Sequence, residues 1–300
     1  MKPLFQYIIE ARGVVTGKDS WSDLVDDIAK TMVYGDEITR IWTTGVPDWI
    51  KQLTVTVDQY IIGGIAVYAD ELTKVVDNKL IITIKVSKQA FKSISKFKST
   101  LEHELQHAYD DYIGRTRRGK SMFIGDKYCV PTKYESPDFE SINIWDIITN
   151  PKNVTTDHMQ YLLRESTYWF DQSEVNAFLR EFNSYIKSVA VKNGFEWDWN
   201  DVFKNPNDGA LPLTGISLIY HTINHINEYT NVEWDWAMDA VNDYWAPTVF
   251  NKTFPGKDAS SFVRVLQYIL KKMTPKVIAR YNRVIKDNDI DIINKPDWFK

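Results

Sequence analysis

The sequence predicts an α+β fold: a small antiparallel or mixed sheet, one long helix after it, and a mainly helical second half. Three observations predict it. Between residues 53 and 86 apolar side chains recur at period two. Over residues 100–111 they recur at helical spacing instead. From about residue 156 onward, helical periodicity with Asn-Gly and Pro breaks continues to the end.

Taken in order, Ser20 can cap a first helix in which Trp21, Leu24, Val25, Ile28, Ala29, Met32 and Val33 repeat at helical spacing, closed by Gly35. Residues 54–57 and 64–68 read as strands, with a bulge at Gly63 and Gly64. Asp77 and Asn78 mark a turn, and residues 80–86 alternate with Ile82, Ile84 and Val86 on one face. A strand just ahead of the long helix can form the rim of a cleft where an extended peptide adds, or be an ordinary half-buried strand. Lys92, Lys96 and Lys98 lead into the helix, and Arg115, Arg117, Arg118 and Lys120 leave it through Gly114 and Gly119. These bases read as a solvated loop or as an attraction for an acidic substrate.

Residues 121–156, with Pro131, Pro137 and Pro151, read as an irregular excursion of the kind that lines a site. Helices are then expected over 156–170 and 173–189, the second with Val175, Phe178, Leu179, Phe182, Ile186 and Val189 as its buried stripe. Asn193-Gly194 breaks it, and the Asn-Pro-Asn-Asp-Gly run at 205–209 marks a loop. Further helices are expected over 213–229, 234–244, 258–273 and 275–287. Glu-Trp-Asp-Trp occurs at 196–199 and again at 233–236, by chance or as a shared helix-start device.

Three hundred residues with 44% hydrophobic and 25% charged content can bury a sizeable core, as one domain or two lobes. A net charge of −4 argues against nucleic acid as the partner. The single cysteine, Cys129, excludes an intrachain disulfide and a Cys-rich zinc finger. The longest apolar runs, 60–69 and 211–220, are too short for a membrane span. The first ten residues turn acidic too soon for a signal peptide, so the expectation is a soluble, cytoplasmic protein.

The chemistry concentrates at residues 103–107, His-Glu-Leu-Gln-His. Histidines four apart lie one turn apart on one helix face, so both imidazoles can reach one metal ion. Glu104, beside the first histidine, can then sit against a metal-bound water as general base. Leu101, Leu105 and Ala108 supply the stripe that buries the helix while the histidine face looks into a cleft.

A catalytic zinc takes three protein ligands and leaves a position for water. Asp110 lies about 10 Å along an unbroken helix from His103, too far to converge on the same ion. It is instead read as an acceptor for a ligand imidazole or as a solvated acid. The third ligand is expected from Glu174, at a helix start one turn before the small Ala177. An acid there also suits the helix dipole without any metal. His221 and His225 share the i, i+4 spacing but have Thr222 where a base would stand; His158 is a weaker rival.

Residues 101–109 and 173–177 resemble the zincin metallopeptidases, in the glutamate branch where a downstream Glu completes His-Glu-x-x-His. The Glu-x-x-Ala form also resembles small bacterial and phage metallopeptidases of the type found with phage repressors. The resemblance covers about 110 residues, from the strand at 80 to the helix ending near 189. It implies a zincin-like fold in which His103, His107 and Glu174 bind zinc, Glu104 is the base, and a protein or peptide is the substrate. Two departures stand out. Phe178 occupies the position where some relatives carry an acid that orients a histidine, and no motif names an oxyanion stabiliser, with Tyr161, Tyr168 and Tyr220 as guesses. The opening Met-Lys-x-Leu-x-Gln-Tyr-Ile resembles the starts of tailed-phage proteins, which implies host cytoplasm or virion.

The expectation is therefore a zinc metallopeptidase region over 1–190 with a helical region over 191–300 packed on it, as separate parts or one continuous domain. Its rival is a structural or interaction protein on the same scaffold, virion-associated and with little or no activity. Hydrolysis of a non-peptide bond is a third reading.

Overall fold

The structure is a computed structural model that describes residues 21–32, 39–58, 61, 66–118, 142–200, 208–244 and 254–299. Ser20, Gly35, the Gly63-Gly64 bulge, Gly119, Lys120, Cys129, Pro131, Pro137 and most of the 205–209 loop lie outside the described residues. The fold is mixed α and β, with a small mixed sheet and a mostly helical second half.

The chain divides into two compact units that interleave along it, where the sequence reading divides it near residue 190. The first holds residues 1–124, 176–197 and 284–292; the second holds 125–175, 198–283 and 293–300.

In the first unit, helix α1 (Trp21–Thr31) buries Leu24, Val25, Ile28 and Ala29, with Met32 just beyond it. The sheet follows: β1 (Arg40–Trp42), β2 (Ile50–Val57), β3 (Ala66–Tyr68), β4 (Lys74–Val76) and β5 (Lys79–Val86). Asp77 and Asn78 both take positive φ, 54° and 59°, which turns β4 tightly into β5. The order is β1-β2-β5-β3, with β4 also on β5. Pairing of β2 with β5 is parallel and the rest antiparallel.

Of the two readings of the strand at 80–86, a cleft rim or an ordinary half-buried strand, the structure gives the second. β2 pairs along one side of β5, and β3 and β4 share the other. A strand hydrogen-bonded on both sides keeps no backbone groups for an added peptide. Leu80, Ile82, Ile84 and Val86 point into the core, each fully buried.

Helix α2 (Ile94–Arg118) begins where Ser93 Oγ accepts the Lys96 N–H at 3.1 Å. Leu101, Leu105 and Ala108 sit in one cluster with the sheet and α1. The helix runs through Gly114, so Arg115 belongs to it and not to an exit loop. Arg115 Nε donates to Asp111 Oδ2 at 2.7 Å, and Lys98 pairs with Asp26 of α1.

In the second unit come α3 (Asp146–Thr149) and α4 (Thr156–Trp169). Helix α5 (Gln172–Asn193) starts there and continues into the first unit, the division falling between Val175 and Asn176. After Gly194 and Phe195, both at φ 69°, strand β6 (Glu196–Asp198) follows. Helices α6 (Leu211–Asn224), α7 (Trp234–Tyr244) and α8 (Ala259–Asp287) come next, then β7 (Asp291–Ile293), which pairs with β6.

Two expectations are corrected here. Pro275 does not divide 258–287 into two helices; α8 runs through it. Its flanks Leu270, Val277 and Ile278 are buried, and that packing outweighs one lost N–H. The two Glu-Trp-Asp-Trp runs are not a shared helix-start device, since the first lies on a strand and the second at the start of α7. Long-range pairing decides the state of so short a segment.

Candidate metal centre

Helix α2 presents two faces. The face carrying Glu104, Ala108, Asp111 and Arg115 meets β3, and the face carrying His103, His107 and Asp110 meets α5.

The second contact is antiparallel and tied at several levels. Asn176 Nδ2 donates to Asp110 Oδ2 at 2.6 Å, and Ser184 Oγ donates to Glu102 Oε2. Between these ties the Phe178 ring meets His103 edge-on at 5.2 Å between centroids. Polar pairs at both ends of an apolar stretch set the register between the helices.

The start of α5 is set locally. Asp171 Oδ1 accepts the N–H groups of Ser173 and Glu174, at 2.8 and 3.4 Å, so Asp171 is the cap and Glu174 stands in the first turn. That helix carries Glu174 to the histidines. The ligand atoms of His103, His107 and Glu174 all lie within 4.8 Å of one another. Both histidines are buried and Glu174 is half-buried.

The donor set fits a metal ion. The two Nε2 atoms stand 3.1 Å apart, close to the roughly 3.3 Å that two nitrogens at zinc-ligand distance span in a tetrahedral shell. On the far side of the first ring, Glu181 Oε1 lies 3.4 Å from His103 Nδ1. A proton held on Nδ1 by that carboxylate leaves the Nε2 lone pair for the ion. This buried group could hold a metal ion.

Glu104 is also buried, and its Oε2 accepts the Tyr68 backbone N–H at 2.6 Å. The Tyr68 phenol donates to Asp111 Oδ2 at 2.6 Å. Burial first, and then this bond to a carboxylate, hold the Tyr68 proton on far above the ordinary tyrosine range. Lys96 is pushed down by its own burial, with the Glu181 carboxylate working against that.

The structure thus brings together His103, His107 and Glu174, with Glu104 one residue from the first histidine. Asp110, read as an acceptor for a ligand imidazole or as a solvated acid, takes hydrogen bonds from Gln106 and Asn176, at 2.9 and 2.6 Å. An acid that does stand against an imidazole is Glu181, which sequence reasoning missed. A signal existed: Glu181 lies seven residues beyond Glu174, on the same face, as an acid amid the buried Phe178, Leu179 and Phe182. The hydrogen bonds from Tyr68 to Glu104 and Asp111 were missed as well, and nothing local announces a contact across 36 or 43 residues.

The rivals His158, His221 and His225 are not members of the His103, His107 and Glu174 group. The His221 and His225 rings stack at 4.1 Å, with His225 Nδ1 2.7 Å from Glu228 Oε1 and His221 Nδ1 3.4 Å from the Tyr229 hydroxyl. His158 caps α4, its Nδ1 accepting the Thr155 N–H at 3.2 Å. Of the tyrosines guessed as oxyanion stabilisers, Tyr220 stacks on Trp298. Among the described residues, no helix is long and apolar enough to cross a membrane. Compared with known proteins, the chain matches no protein-family model, no curated protein and no solved structure.

Proposed function

We propose that this chain is a zinc-dependent metallopeptidase of the zincin type, with Glu104 as its general base. One observation carries the reading: His103 and His107 of α2 and Glu174 of α5 converge, and the residue after His103 is a buried carboxylate. A carboxylate beside the first histidine is where a base for a metal-bound water would stand, and two imidazoles with one carboxylate are a donor set that suits zinc.

Bound by these three side chains, zinc would polarise a scissile carbonyl and bring the pKa of a coordinated water towards about 7. The chain's own groups do the rest. Glu104 takes the proton of the attacking water and returns it to the leaving amine. Glu181 keeps His103 in the tautomer that offers Nε2. Phe178, edge-on to His103, keeps bulk water from that side of the ring.

The test is cleavage of casein by protein loaded with one zinc per chain, compared with Glu104→Gln carrying the same zinc. Cleavage by the parent and its loss in the variant are expected. A Glu104→Gln protein as fast as the parent rules the mechanism out. A zinc-loaded parent that cleaves nothing favours the interaction-protein reading.

A further inference from the structure

Tyr68 touches helix α2 at two points seven residues apart. Its backbone N–H donates to Glu104 and its phenol to Asp111. Residues seven apart lie on one helix face about 10 Å from each other, so this one side chain runs along α2 from the carboxylate beside His103 to the carboxylate two turns on.

Each end of that contact is built. Ala69 N–H donates to Thr83 O at 2.9 Å, and the alternation of an antiparallel ladder then turns the neighbouring Tyr68 N–H outward from β5, to the side where Glu104 stands. At the other end Asp111 is fully buried and its Oδ2 also accepts from Arg115 Nε. Arg115 Nη2 in turn donates to Asp70 O at 3.3 Å, two residues beyond Tyr68. The loop leaving β3 is therefore gripped twice by the last turns of α2.

The geometry points to Tyr68 as the positioning residue for Glu104: the buried Asp111, itself paired with the half-buried Arg115, anchors its phenol, and the anchored residue aims its N–H at the carboxylate. This rests on the peptidase reading above, in which Glu104 moves the proton. A carboxylate held by a backbone donor keeps one rotamer, and a base must be held to within a fraction of an ångström of its task. The pair thus governs turnover while touching neither the metal group nor Glu104.

The experiment uses the full zinc-loaded chain, isotope-labelled on the backbone. It compares the parent with Tyr68→Phe, which leaves the Asp111–Arg115 pair in place, and with Asp111→Asn. Glu71→Gln, whose exposed carboxylate pairs with Lys85 at 3.1 Å, is the control. In both strap variants the amide of residue 68 should exchange roughly tenfold faster, while the Ala69 amide, bonded to Thr83, does not change. Zinc content should stay at the parent's level. On a fluorogenic peptide built on the first bond cut in casein, kcat should fall roughly ten- to a hundredfold at unchanged KM.

Unchanged exchange at residue 68 in Tyr68→Phe overturns the proposal, as does a variant that loses zinc or changes KM alone. Failure of Asp111→Asn to fold leaves Tyr68→Phe to decide. Absence of cleavage by the zinc-loaded parent would sink the peptidase reading alone, because amide exchange still reports whether the phenol holds residue 68 on Glu104.

Discussion

Glu181 Oε1 stands 3.4 Å from His103 Nδ1, three residues past a nearer position on the same helix that also faces the ring. Phe178 fills that nearer position and packs edge-on against the same imidazole. The two together orient the ring, one by charge and one by contact.

The consequence is a graded effect on metal affinity. Glu181→Ala should weaken zinc binding about ten- to a hundredfold, the range expected when the partner of a ligand histidine is removed. Glu181→Gln keeps an acceptor oxygen and should lose less. Competition titration against a chelator measures both, and equal affinity in all three proteins refutes the role.

The ligands and the base should separate cleanly. His103→Ala should leave less than one zinc per chain by elemental analysis, and Glu174→Ala should bind it more weakly. Glu104→Gln should keep one zinc and lose about a hundred- to ten-thousandfold in kcat, the range for removing a general base. Unchanged zinc affinity in Glu174→Ala excludes it as a ligand.

Gly215 on α6 is expected to tolerate no larger residue. A Cβ there would lie 2.4 Å from Trp169 Cε3, so the ring's approach to α6 depends on its absence. Alanine ordinarily favours a helix over glycine. Here Gly215→Ala should instead cost about 1–3 kcal/mol by overpacking, read as a lower denaturation midpoint. Combining it with Trp169→Leu should return part of the loss.

Stability should fall on mild acidification. Burial first, and at His221 also the His225 ring, hold His158 and His221 below the ordinary histidine value of 6.5. Just under that value the unfolded chain binds more protons than the folded one, so folding weakens as protons are added. Their contribution is complete above 6.5 and is lost as pH drops through the lowered values. Thermal unfolding at about pH 7.5 and about pH 5.5 should show the decline. His158→Gln, which keeps a capping acceptor, should flatten it.

The parts that were readable in the sequence are those governed by short-range geometry. Helical spacing placed His103 and His107 on one face, period two marked β2, β3 and β5, and the stripe from Val175 marked the helix whose first turn holds Glu174. Local hydrogen bonding and side-chain periodicity need only a few consecutive residues, so they survive in a one-dimensional reading. Pairings across long loops do not. The parallel register of β2 on β5, the grip of Tyr68 on Glu104 and Asp111, the approach of Glu181 to His103, and the interleaving of the two units each join residues dozens of positions apart. Those contacts were decided by which buried faces and polar partners could be satisfied together once the whole chain had packed.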